Sequence, residues 1–542
     1  MNKPRNIVAV ISMLHEAAGR SSADRRFRDR PVLAWTLERL GRAKCVSGAV
    51  VVCWEDQREA VEAIGAARIF CPGQRTALPS LDALSAARRW ADGWRGGLLG
   101  SCAFDAGFHG PSIAAAVADN FASADAVILV DPAAALVDGR LLEALAEQPR
   151  HAPAEQEFFF APAAPGLAGA MLGRSLLKQL AAAQTYPGRY LGYLPDSPRP
   201  DPISQGGCAP VTARAVRTVH RFTLDSQRQI ARIETATAAL NGQLLGISAE
   251  ELVHRVEKSE FPEILPREVV VELTVKRETQ AIFRAGTHIN VQRGDLSLED
   301  ARRLFAQMAE ADDARLTLAG SGDPLLSPVF FDCVAAAAQA GIRAIHVQTD
   351  LLGIDAAQID ALAALPLDVI SIDIPAITGA TYQAVMGVDG CTRVLNNVRI
   401  LIERRLARGK ATPLLVPIFT KCRANLGEME SWYDQWLKLA GSAVIAGPSD
   451  WAGQIPDCGV ADMTPPKRRP CARLANRLTV LSDGSVAACE EDVCGRQTLG
   501  NIRQRSLGEI WTTSMSEFRA GQAREDWNNR PLCAACRQWH RP

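Results

Sequence analysis

The sequence RLTVLSDGSVAAC, residues 477–489, predicts a β-hairpin. Apolar side chains are frequent in 478–481 and in 486–488, and the Asp483-Gly484 pair between them is typical of tight hairpin turns. Cys489 closes the second strand, five positions after Gly484. The hairpin therefore fixes one thiol at the end of a short strand.

Three further cysteines belong with this hairpin. Cys471 precedes it, and Cys533 and Cys536 form a C-x2-C pair. A C-x2-C pair places two thiolates on one tight turn, and four thiolates suit tetrahedral zinc or an iron-sulfur cluster. The softness of the ligands alone does not separate zinc from iron. We predict Cys471, Cys489, Cys533 and Cys536 as metal ligands and Cys494 as a bystander that could substitute for one of them.

The composition limits the class of protein. The chain has 542 residues, with 60 basic and 60 acidic side chains and a formal net charge of zero. This length predicts several domains. A neutral chain argues against a dedicated nucleic-acid or anionic-membrane binder, which usually carries a basic excess. No apolar run approaches the roughly 18–20 residues of a membrane span. We expect a soluble cytoplasmic protein whose 14 cysteines are not a disulfide framework.

Two series of alternating strands and helices precede the cysteine-rich segment. In the first, buried strands predicted at 6–13, 49–54 and 126–130 indicate a doubly wound sheet. The second suits a partial or full β/α barrel. Its strands are predicted at 269–275, 315–319, 344–348, 368–373 and 413–418, with helices such as 298–309 and 329–340 between them. We predict an α/β protein with domains at 1–250, 251–450 and 451–542.

Short motifs accompany the cysteines. They are Leu499-Gly500-Asn501-Ile502, Ser506-Leu507-x-Glu509-Ile510-Trp511 and Pro531-Leu532-Cys533-x2-Cys536. Together with the hairpin, they resemble the SPASM/twitch module that follows the barrel of many radical S-adenosylmethionine (SAM) enzymes. The full SPASM pattern has further cysteines after its C-x2-C, so this segment resembles the one-cluster twitch variant. The resemblance implies one [4Fe-4S] cluster, with zinc or no metal as the alternatives.

Motifs of the second series extend the resemblance. Glu272-Leu273-Thr274 resembles the E-x-T strand that opens radical SAM barrels. Gly320-Ser321-Gly322-Asp323-Pro324 resembles the G-G-E-P loop that meets the amino group of SAM, and Ser371-Ile372-Asp373 resembles the S-x-D strand end. The resemblance implies cofactor-binding roles for Gly320, Gly322, Asp323, Ser371 and Asp373.

Three cysteines of this family are missing from the barrel. Radical SAM enzymes hold the SAM-cleaving cluster with a C-x3-C-x2-C motif after the first strand, where this chain has Arg277, Ala281 and Arg284. Arginine does not ligate iron, alanine offers no donor atom, and two guanidiniums would repel a cationic sulfonium. We therefore predict a barrel without reductive SAM cleavage. Its two arginines either bind an anion or are solvated loop residues.

The first series carries a separate resemblance. Residues 30–40 (RPVLAWTLERL), Val130-Asp131-Pro132 and residues 221–225 (RFTLD) resemble motifs of the cytidylyltransferase branch of the GT-A-like nucleotidyltransferase fold. The resemblance implies Mg²⁺ bound by Asp131 and Asp225. The alternative is that Asp131 caps a strand end and Asp225 caps the helix that begins at Ser226. Only one glycine stands in the loop at 15–22, where phosphate-binding loops are glycine-rich.

Three functions of different classes remain open. The first is that of a radical SAM/SPASM superfamily protein, resembling the spiro-SPASM proteins, which binds one C-terminal cluster. Its barrel would bind a ligand or relay electrons, and its partner would be a peptide or a protein. The second is a nucleotidyltransferase that activates a sugar with CTP through the N-terminal domain. The third is a non-catalytic interaction protein with a structural metal site.

Overall fold

The computed structural model describes residues 6–15, 21–76, 78–90, 111–121, 124–153, 155–185, 207–240 and 242–541. The chain forms two compact units, residues 1–262 and 263–542. Both units are built on sheets with parallel strands, which confirms the α/β class. The division at residues 250 and 450 stays a prediction. No helix within these described ranges is long and apolar enough to cross a membrane.

The first unit contains a doubly wound sheet. Its strands are β1 Ile7–Ser12, β2 Arg26–Phe27, β3 Arg30–Pro31, β4 Gly48–Val52, β5 Ile69–Phe70, β6 Ala126–Val130, β7 Phe158–Phe160 and β8 Ala170–Gly173. Its helices are α1 Val32–Gly41, α2 Arg58–Ala63, α3 Pro79–Trp90, α4 Pro111–Asn120, α5 Gly139–Glu147, α6 Arg174–Ala182, α7 Ala213–Arg217, α8 Gln227–Ala236 and α9 Ala249–Lys258.

The main sheet of this unit has the order β5-β4-β1-β6-β8-β7. Strand β1 pairs in parallel with β4 and β6, whereas β8 is antiparallel to β6 and β7. Ile7 and Ile11 of β1 pack into one apolar cluster, and Val8 and Val10 pack into another. Because successive side chains of a strand point to opposite faces, both faces of the sheet are covered.

The second unit contains the β/α series and the cysteine-rich segment. Its strands are β9 Glu268–Val271, β10 Arg315–Leu318, β11 Ala344–Thr349, β12 Val369–Asp373, β13 Leu414–Thr420, β14 Val444–Ala446, β15 Arg477–Val480, β16 Ser485–Ala487 and β17 Thr498–Asn501. Its helices are α10 Ala285–His288, α11 Leu298–Met308, α12 Phe330–Ala340, α13 Ala356–Ala364, α14 Gly379–Met386, α15 Cys391–Ala407, α16 Met429–Ala440, α17 Leu507–Thr512, α18 Ser514–Ala523 and α19 Pro531–Ala535.

One nine-stranded sheet runs through this unit, in the order β14-β13-β12-β11-β10-β9-β15-β16-β17. Strands β9 to β14 are parallel neighbours in chain order, which is the arrangement of a partial β/α barrel. Strand β15 joins the sheet beside β9 in parallel, with Leu478 opposite Val269. The C-terminal hairpin is therefore continuous with the barrel sheet.

The hairpin has the predicted position and turn. Val480 of β15 pairs with Val486 of β16 in antiparallel register. Leu481 accepts a backbone hydrogen bond from Gly484 at 2.9 Å and donates one to Ser485 at 2.8 Å. Gly484 has φ +84°, a conformation that side chains with a Cβ adopt rarely. The backbone conformation of this turn therefore favours the glycine of the Asp-Gly pair.

Candidate functional site

The carboxyl ends of the parallel strands of the second unit surround a cavity of about 230 Å³. Strands β9 and β11–β15 each contribute a residue to its wall, as does the segment directly after β10. In α/β folds, ligands bind at this end of the strands. Gly320 and Asp373, predicted from the sequence as cofactor-binding, line the cavity, and so do Glu272 and Arg284.

Arg277 stands at the first missing cysteine position and is buried by the barrel. Its Nη1 lies 2.6 Å from Oδ1 of Asp350, and the two side chains are only 7% and 3% exposed. Its Nε donates to the carbonyl oxygen of Ser321 at 3.0 Å, and its Nη2 donates to that of Gly322 at 2.8 Å. Both sequence-based interpretations of Arg277 are therefore wrong, because its guanidinium is neither solvated nor open to an external anion.

Arg284 stands at the third missing position and is paired differently. Its Nη2 contacts Oδ2 of Asp373, and the residue is 8% exposed. Its guanidinium also lies 5.9 Å from the ring centroid of Phe283. Unlike Arg277, it lines the cavity, and its Nε has no hydrogen-bond partner among the described residues. The interpretation of Arg284 as a solvated loop residue is wrong.

The loop that follows β10 is closely packed. A Cβ on Gly322 would lie 2.3 Å from the carbonyl oxygen of Thr274, so only glycine fits this approach. Asp323 accepts hydrogen bonds from the amide of Leu325 at 3.0 Å, from Oγ1 of Thr349 at 2.8 Å and from the amide of Asp350 at 2.9 Å. Its carboxylate is thus engaged inside the protein. Burial and the Asp350 carboxylate raise the pKa of Asp323.

Ser371 lies on β12 away from the described wall of the cavity. Its Oγ is 2.8 Å from Nε2 of His346 on the neighbouring strand β11. Burial lowers the pKa of His346 to about 4, with a further contribution from Arg477, so this imidazole is neutral at pH 7. Cofactor-binding roles for Gly320, Gly322, Asp323, Ser371 and Asp373 stay predictions.

The four predicted metal ligands are grouped in the second unit. Cys471 directly precedes a 3-10 turn at Ala472–Ala475, Cys489 follows β16, and Cys533 and Cys536 stand in and just after α19. Burial raises the pKa of Cys489 well above its ordinary value, and the charges of Glu491 and, to a smaller extent, of Cys533 and Cys471 add to the effect. Burial raises the pKa of Cys536 to about 11, again with contributions from Cys471 and Cys533. The thiols are therefore close enough to oppose one another's ionisation.

Two of these sulfurs accept hydrogen bonds. Nε2 of Gln522 donates to Sγ of Cys533 at 3.3 Å, and the amide of Gln538 donates to Sγ of Cys536 at 3.2 Å. Such donors stabilise thiolate ligands and tune iron-sulfur clusters. Within the described ranges, no three His, Cys, Asp or Glu side chains are placed to hold a single metal ion. The donor set of four soft thiols, two of which accept an N–H hydrogen bond, fits an iron-sulfur cluster.

Arg473 connects the cysteine group with the cavity. Its Nη1 lies 2.7 Å from Oε1 of Glu490 and 3.2 Å from Oε1 of Glu491. Burial opposes its charge, but these carboxylates, together with Cys489 and Cys471, raise the pKa of Arg473. Arg473, Glu490 and Glu491 also line the cavity. This bordering ion-pair group was not predicted from the sequence, although each member lies within two residues of a predicted ligand.

Two further thiol pairs were not predicted from the sequence. The sulfurs of Cys422 and Cys458 lie 3.4 Å apart, and those of Cys53 and Cys71 lie 3.8 Å apart. The two cysteines of a pair are 36 positions apart in the first case and 18 in the second, so no short spacing motif identifies either pair.

The first unit brings Asp131 and Asp225 within electrostatic reach of each other. Burial raises the pKa of Asp131 to about 6, and the Asp225 carboxylate adds to the effect. Asp225 contacts Nη2 of Arg221 at 2.6 Å and Oγ1 of Thr223 at 3.2 Å. Both residues are half-buried, and a pair of carboxylates that repel each other is a common feature of divalent-cation sites.

The alternative role predicted for Asp225 is wrong. Helix α8 is capped by Ser226, whose Oγ accepts from the amide of Gln229 at 3.2 Å. Asp131 does accept from the amide of Ala133 at 2.8 Å, which fits the strand-end cap named as its alternative role. Part of the predicted nucleotide loop, residues 16–20, lies outside the described residues.

The cysteine-rich segment matches a known protein family. Residues 471–537 match the SPASM family, described as an iron-sulfur cluster-binding domain. These residues form a SPASM domain. The match confirms that this segment is a SPASM domain, and the domain contains all four predicted cysteine ligands.

Individual proteins and structures are also similar to this chain. An uncharacterized protein of Treponema pallidum (strain Nichols) is 26% identical over 322 residues, which cover 56% of this chain and 85% of that protein. BtrN in complex with AdoMet and 2-DOIA is 16% identical, with a TM-score of 0.35, and covers 50% of this chain and 93% of its own. Streptococcus suis SuiB bound to precursor peptide SuiA is 14% identical, with a TM-score of 0.40, and covers 52% and 73%.

Proposed function

We propose that Cys471, Cys489, Cys533 and Cys536 hold one [4Fe-4S] cluster, and that the adjoining barrel binds a ligand without cleaving SAM. The observation that carries this proposal is the contrast between the cysteines of the SPASM domain and the barrel positions that lack cysteine. Four cysteines are grouped in the SPASM domain, whereas the barrel positions that would hold a second cluster carry the buried Arg277 and Arg284.

Residues of the SPASM domain have defined roles in this proposal. When bound, an iron-sulfur cluster supplies transfer of one electron at a time. Gln522 and the amide of Gln538 donate to two ligand sulfurs and so stabilise their thiolate forms. Arg473 offsets part of the negative charge of Cys471 and Cys489. Because raised thiol pKa values oppose ligation, cluster binding must displace protons from Cys489 and Cys536.

Residues of the barrel have a different role. Arg277 binds the carbonyl oxygens of Ser321 and Gly322, which belong to the loop that resembles the SAM-binding loop. The Asp350 carboxylate forms an ion pair with Arg277 and accepts a hydrogen bond from Oγ1 of Thr279. These contacts hold the loop in one conformation by internal pairing. The barrel is thereby a fixed binding scaffold, and the partner that we propose for it is a peptide or protein.

Cysteine variants test the cluster. We expect Cys533→Ser and Cys536→Ser, purified without oxygen, to lose the bound iron, the sulfide and the electron paramagnetic resonance signal of a reduced cluster. Cys494→Ser is the matched control, because Cys494 lies in the same domain, is also half-buried and is not a proposed ligand. Stoichiometric zinc without sulfide would contradict the proposal and favour a structural metal site.

A product assay tests the barrel. The reduced protein is incubated with SAM, and 5′-deoxyadenosine is measured. We expect none above the level of a reaction without protein, because no thiol stands at positions 277, 281 or 284. Repeated formation of this product by purified protein would refute the barrel part of the proposal and leave the SPASM part intact.

The first unit supports a second candidate function, the binding of Mg²⁺ and a nucleotide by Asp131 and Asp225. The observation that favours it is the electrostatic coupling of these two carboxylates. Calorimetry with Mg²⁺ and CTP is expected to give binding that Asp131→Asn removes. Asp56→Asn is the control, because Asp56 is exposed and pairs with Arg75 on the surface. Absence of CTP binding to the unmodified protein would remove this candidate.

A further inference from the structure

Four polar atoms in the wall of the cavity have no hydrogen-bond partner among the described residues. They are Nε of Arg284, Oγ of Ser321, Nε of Arg473 and Oγ1 of Thr479. Ser321 and Thr479 are 8% and 4% exposed. Buried polar groups are nearly always hydrogen-bonded, so each unpaired atom needs an explanation. All four can donate a hydrogen bond, and all four belong to residues that line the cavity.

The carboxylates of the wall already have partners. Each is paired with a guanidinium: Glu272 with Arg293 at 2.7 Å, Asp373 with Arg284, Glu490 with Arg473 at 2.7 Å, and Glu491 with Arg473 at 3.2 Å. Arg473 is shared by two carboxylates, and Glu490 also lies 3.7 Å from Nη1 of Arg477, so each carboxylate of the wall has an ion-pair partner inside the protein.

One cation of the wall stands outside these ion pairs, although the charges of Glu491 and Asp450 act on it. Arg541 lines the cavity, and its Nη1 and Nη2 donate to the carbonyl oxygens of Gly447 at 2.7 Å and Pro448 at 3.4 Å. Within the described ranges it forms no ion pair. The wall thus combines unpaired donors with a guanidinium that forms no ion pair in the described part of the chain, and this combination suits a planar oxyanion.

The remaining wall is apolar and aromatic. Phe283, Ile418, Trp451 and Leu481 contribute to it, and Nε1 of Trp451 donates to the carbonyl oxygen of Phe283 at 2.9 Å, which fixes the indole. A volume of about 230 Å³ is well above the roughly 10–15 Å³ that one water needs on this measure. The cavity therefore has room for an organic group larger than a single solvent molecule.

We infer that this cavity binds a small carboxylate-bearing molecule, with its carboxylate at the unpaired donors and its apolar part against Trp451 and Phe283. The inference rests on the proposed function, since it names the ligand class of the barrel. Two sources share this chemistry: a free amino acid derivative and the carboxyl terminus of a peptide. The scaffold pairs of Arg277 and Asp350 take no part in the contact.

Calorimetry on the full chain separates these sources. The probes are N-acetyl-phenylalanine, its amide, and a tripeptide ending in phenylalanine with either a free or an amidated carboxyl terminus. We expect the free carboxylate of at least one pair to bind at least tenfold more tightly than its amide. Tighter binding of the tripeptide identifies a peptide terminus, and tighter binding of the single residue identifies a free amino acid derivative. Equal binding of acid and amide in both pairs, or no binding of any probe, would overturn the inference.

Conservative variants test the assigned donors. Ser321→Ala and Thr479→Val are expected to weaken carboxylate binding by about three- to tenfold each, as loss of a hydrogen bond does. Ser327→Ala is the control, because Ser327 has a buried hydroxyl without a partner among the described residues and does not line this cavity. Neither change removes an ion pair, so we expect both variants to fold. Unchanged affinity for the carboxylate in Ser321→Ala and Thr479→Val would therefore contradict the inference.

Iron and sulfide are measured on the same samples. If the protein binds carboxylates but contains zinc, the proposal of an iron-sulfur cluster is refuted and the proposal of a carboxylate-binding cavity stands. If the protein contains the expected cluster but shows no preference for carboxylates, the proposal of a carboxylate-binding cavity is refuted and the cluster stands. The two proposals therefore fail independently.

Discussion

Replacement of Arg277 by methionine is the perturbation whose cost follows most directly from the structure. The change keeps a similar apolar stem and removes the guanidinium that contacts Asp350 at 2.6 Å. It leaves the Asp350 carboxylate buried with Thr279 as its remaining side-chain donor in the described chain. Breaking a buried pair in this way costs about 3–5 kcal/mol. At roughly 2–4 °C per kcal/mol, the unfolding temperature should fall by about 6–20 °C.

The same variant should show a specific dependence on pH. Burial opposes the charge of Asp350, but Arg277 and then Arg284 hold the pKa of Asp350 below its ordinary value. In the unmodified protein, this carboxylate stabilises the fold above its unfolded pKa, and the contribution is lost as the pH falls through the folded value. In Arg277→Met the folded pKa rises, so protonation relieves the penalty. The destabilisation should therefore be largest at pH 7 and shrink toward pH 4.

Differential scanning fluorimetry of the full chain measures both effects. Arg303→Met is the matched control, because Arg303 pairs with Glu299 at 3.2 Å but the two side chains are 49% and 84% exposed. An exposed pair of this kind contributes about 0–1 kcal/mol. Equal shifts for Arg277→Met and Arg303→Met, or a shift for Arg277→Met that grows as the pH falls, would refute the buried-pair account.

Three further outcomes are expected. Gly322→Ala should destabilise the second unit by at least about 2 kcal/mol in urea unfolding, because its Cβ would lie 2.3 Å from a backbone oxygen; an unchanged midpoint would contradict the close approach. Asp131 has its pKa raised to about 6, so its charge costs stability as the pH rises from 4 to 7. Asp131→Asn should therefore raise the unfolding temperature at pH 7 and leave it unchanged near pH 4, and a gain confined to pH 4 would reverse the sign. The thiol oxidant diamide should link Cys422 to Cys458, whose sulfurs are 3.4 Å apart, with peptide mass spectrometry as the readout; absence of the linked peptide would count against this placement.

Much of the fold could be predicted from local patterns. The barrel strands predicted at 315–319 and 368–373 occur as Arg315–Leu318 and Val369–Asp373, and the helix predicted at 298–309 occurs as Leu298–Met308. These elements have strong apolar periodicity, which is a local property of the sequence. The first barrel strand ends at Val271, four residues before the predicted end at 275. Glu272, the next residue, lines the cavity. Its carboxylate forms an ion pair with Arg293 and accepts a hydrogen bond from Oγ of Ser482.

The interior of the site could not be predicted in the same way. Arg277 and Asp350 are 73 positions apart, and Arg284 and Asp373 are 89 apart. No spacing rule links such residues, because their contact depends on how the barrel strands pair. The sequence shows only that cysteines are missing at 277, 281 and 284. That buried ion pairs stand near these positions is a property of the folded barrel.

The ligand role of the four cysteines stays a prediction, but the SPASM domain itself could be predicted, because a family pattern connects its distant parts. The ion pairs of Arg473 with Glu490 and Glu491 could not, although these residues adjoin the predicted ligands. Charged residues next to cysteines are common on protein surfaces, so their identity alone does not indicate burial. The pairing of β15 with β9 also joins segments about two hundred positions apart, and it brings these residues to the cavity.

Iron and acid-labile sulfide per chain, measured together after anaerobic purification and reconstitution, test the central claim most directly. One cluster in the SPASM domain and none in the barrel predicts about four irons and four sulfides per chain. About eight of each, distributed over two clusters, would contradict the claim that the barrel lacks its own cluster. Zinc without sulfide would contradict the claim that the four cysteines hold iron.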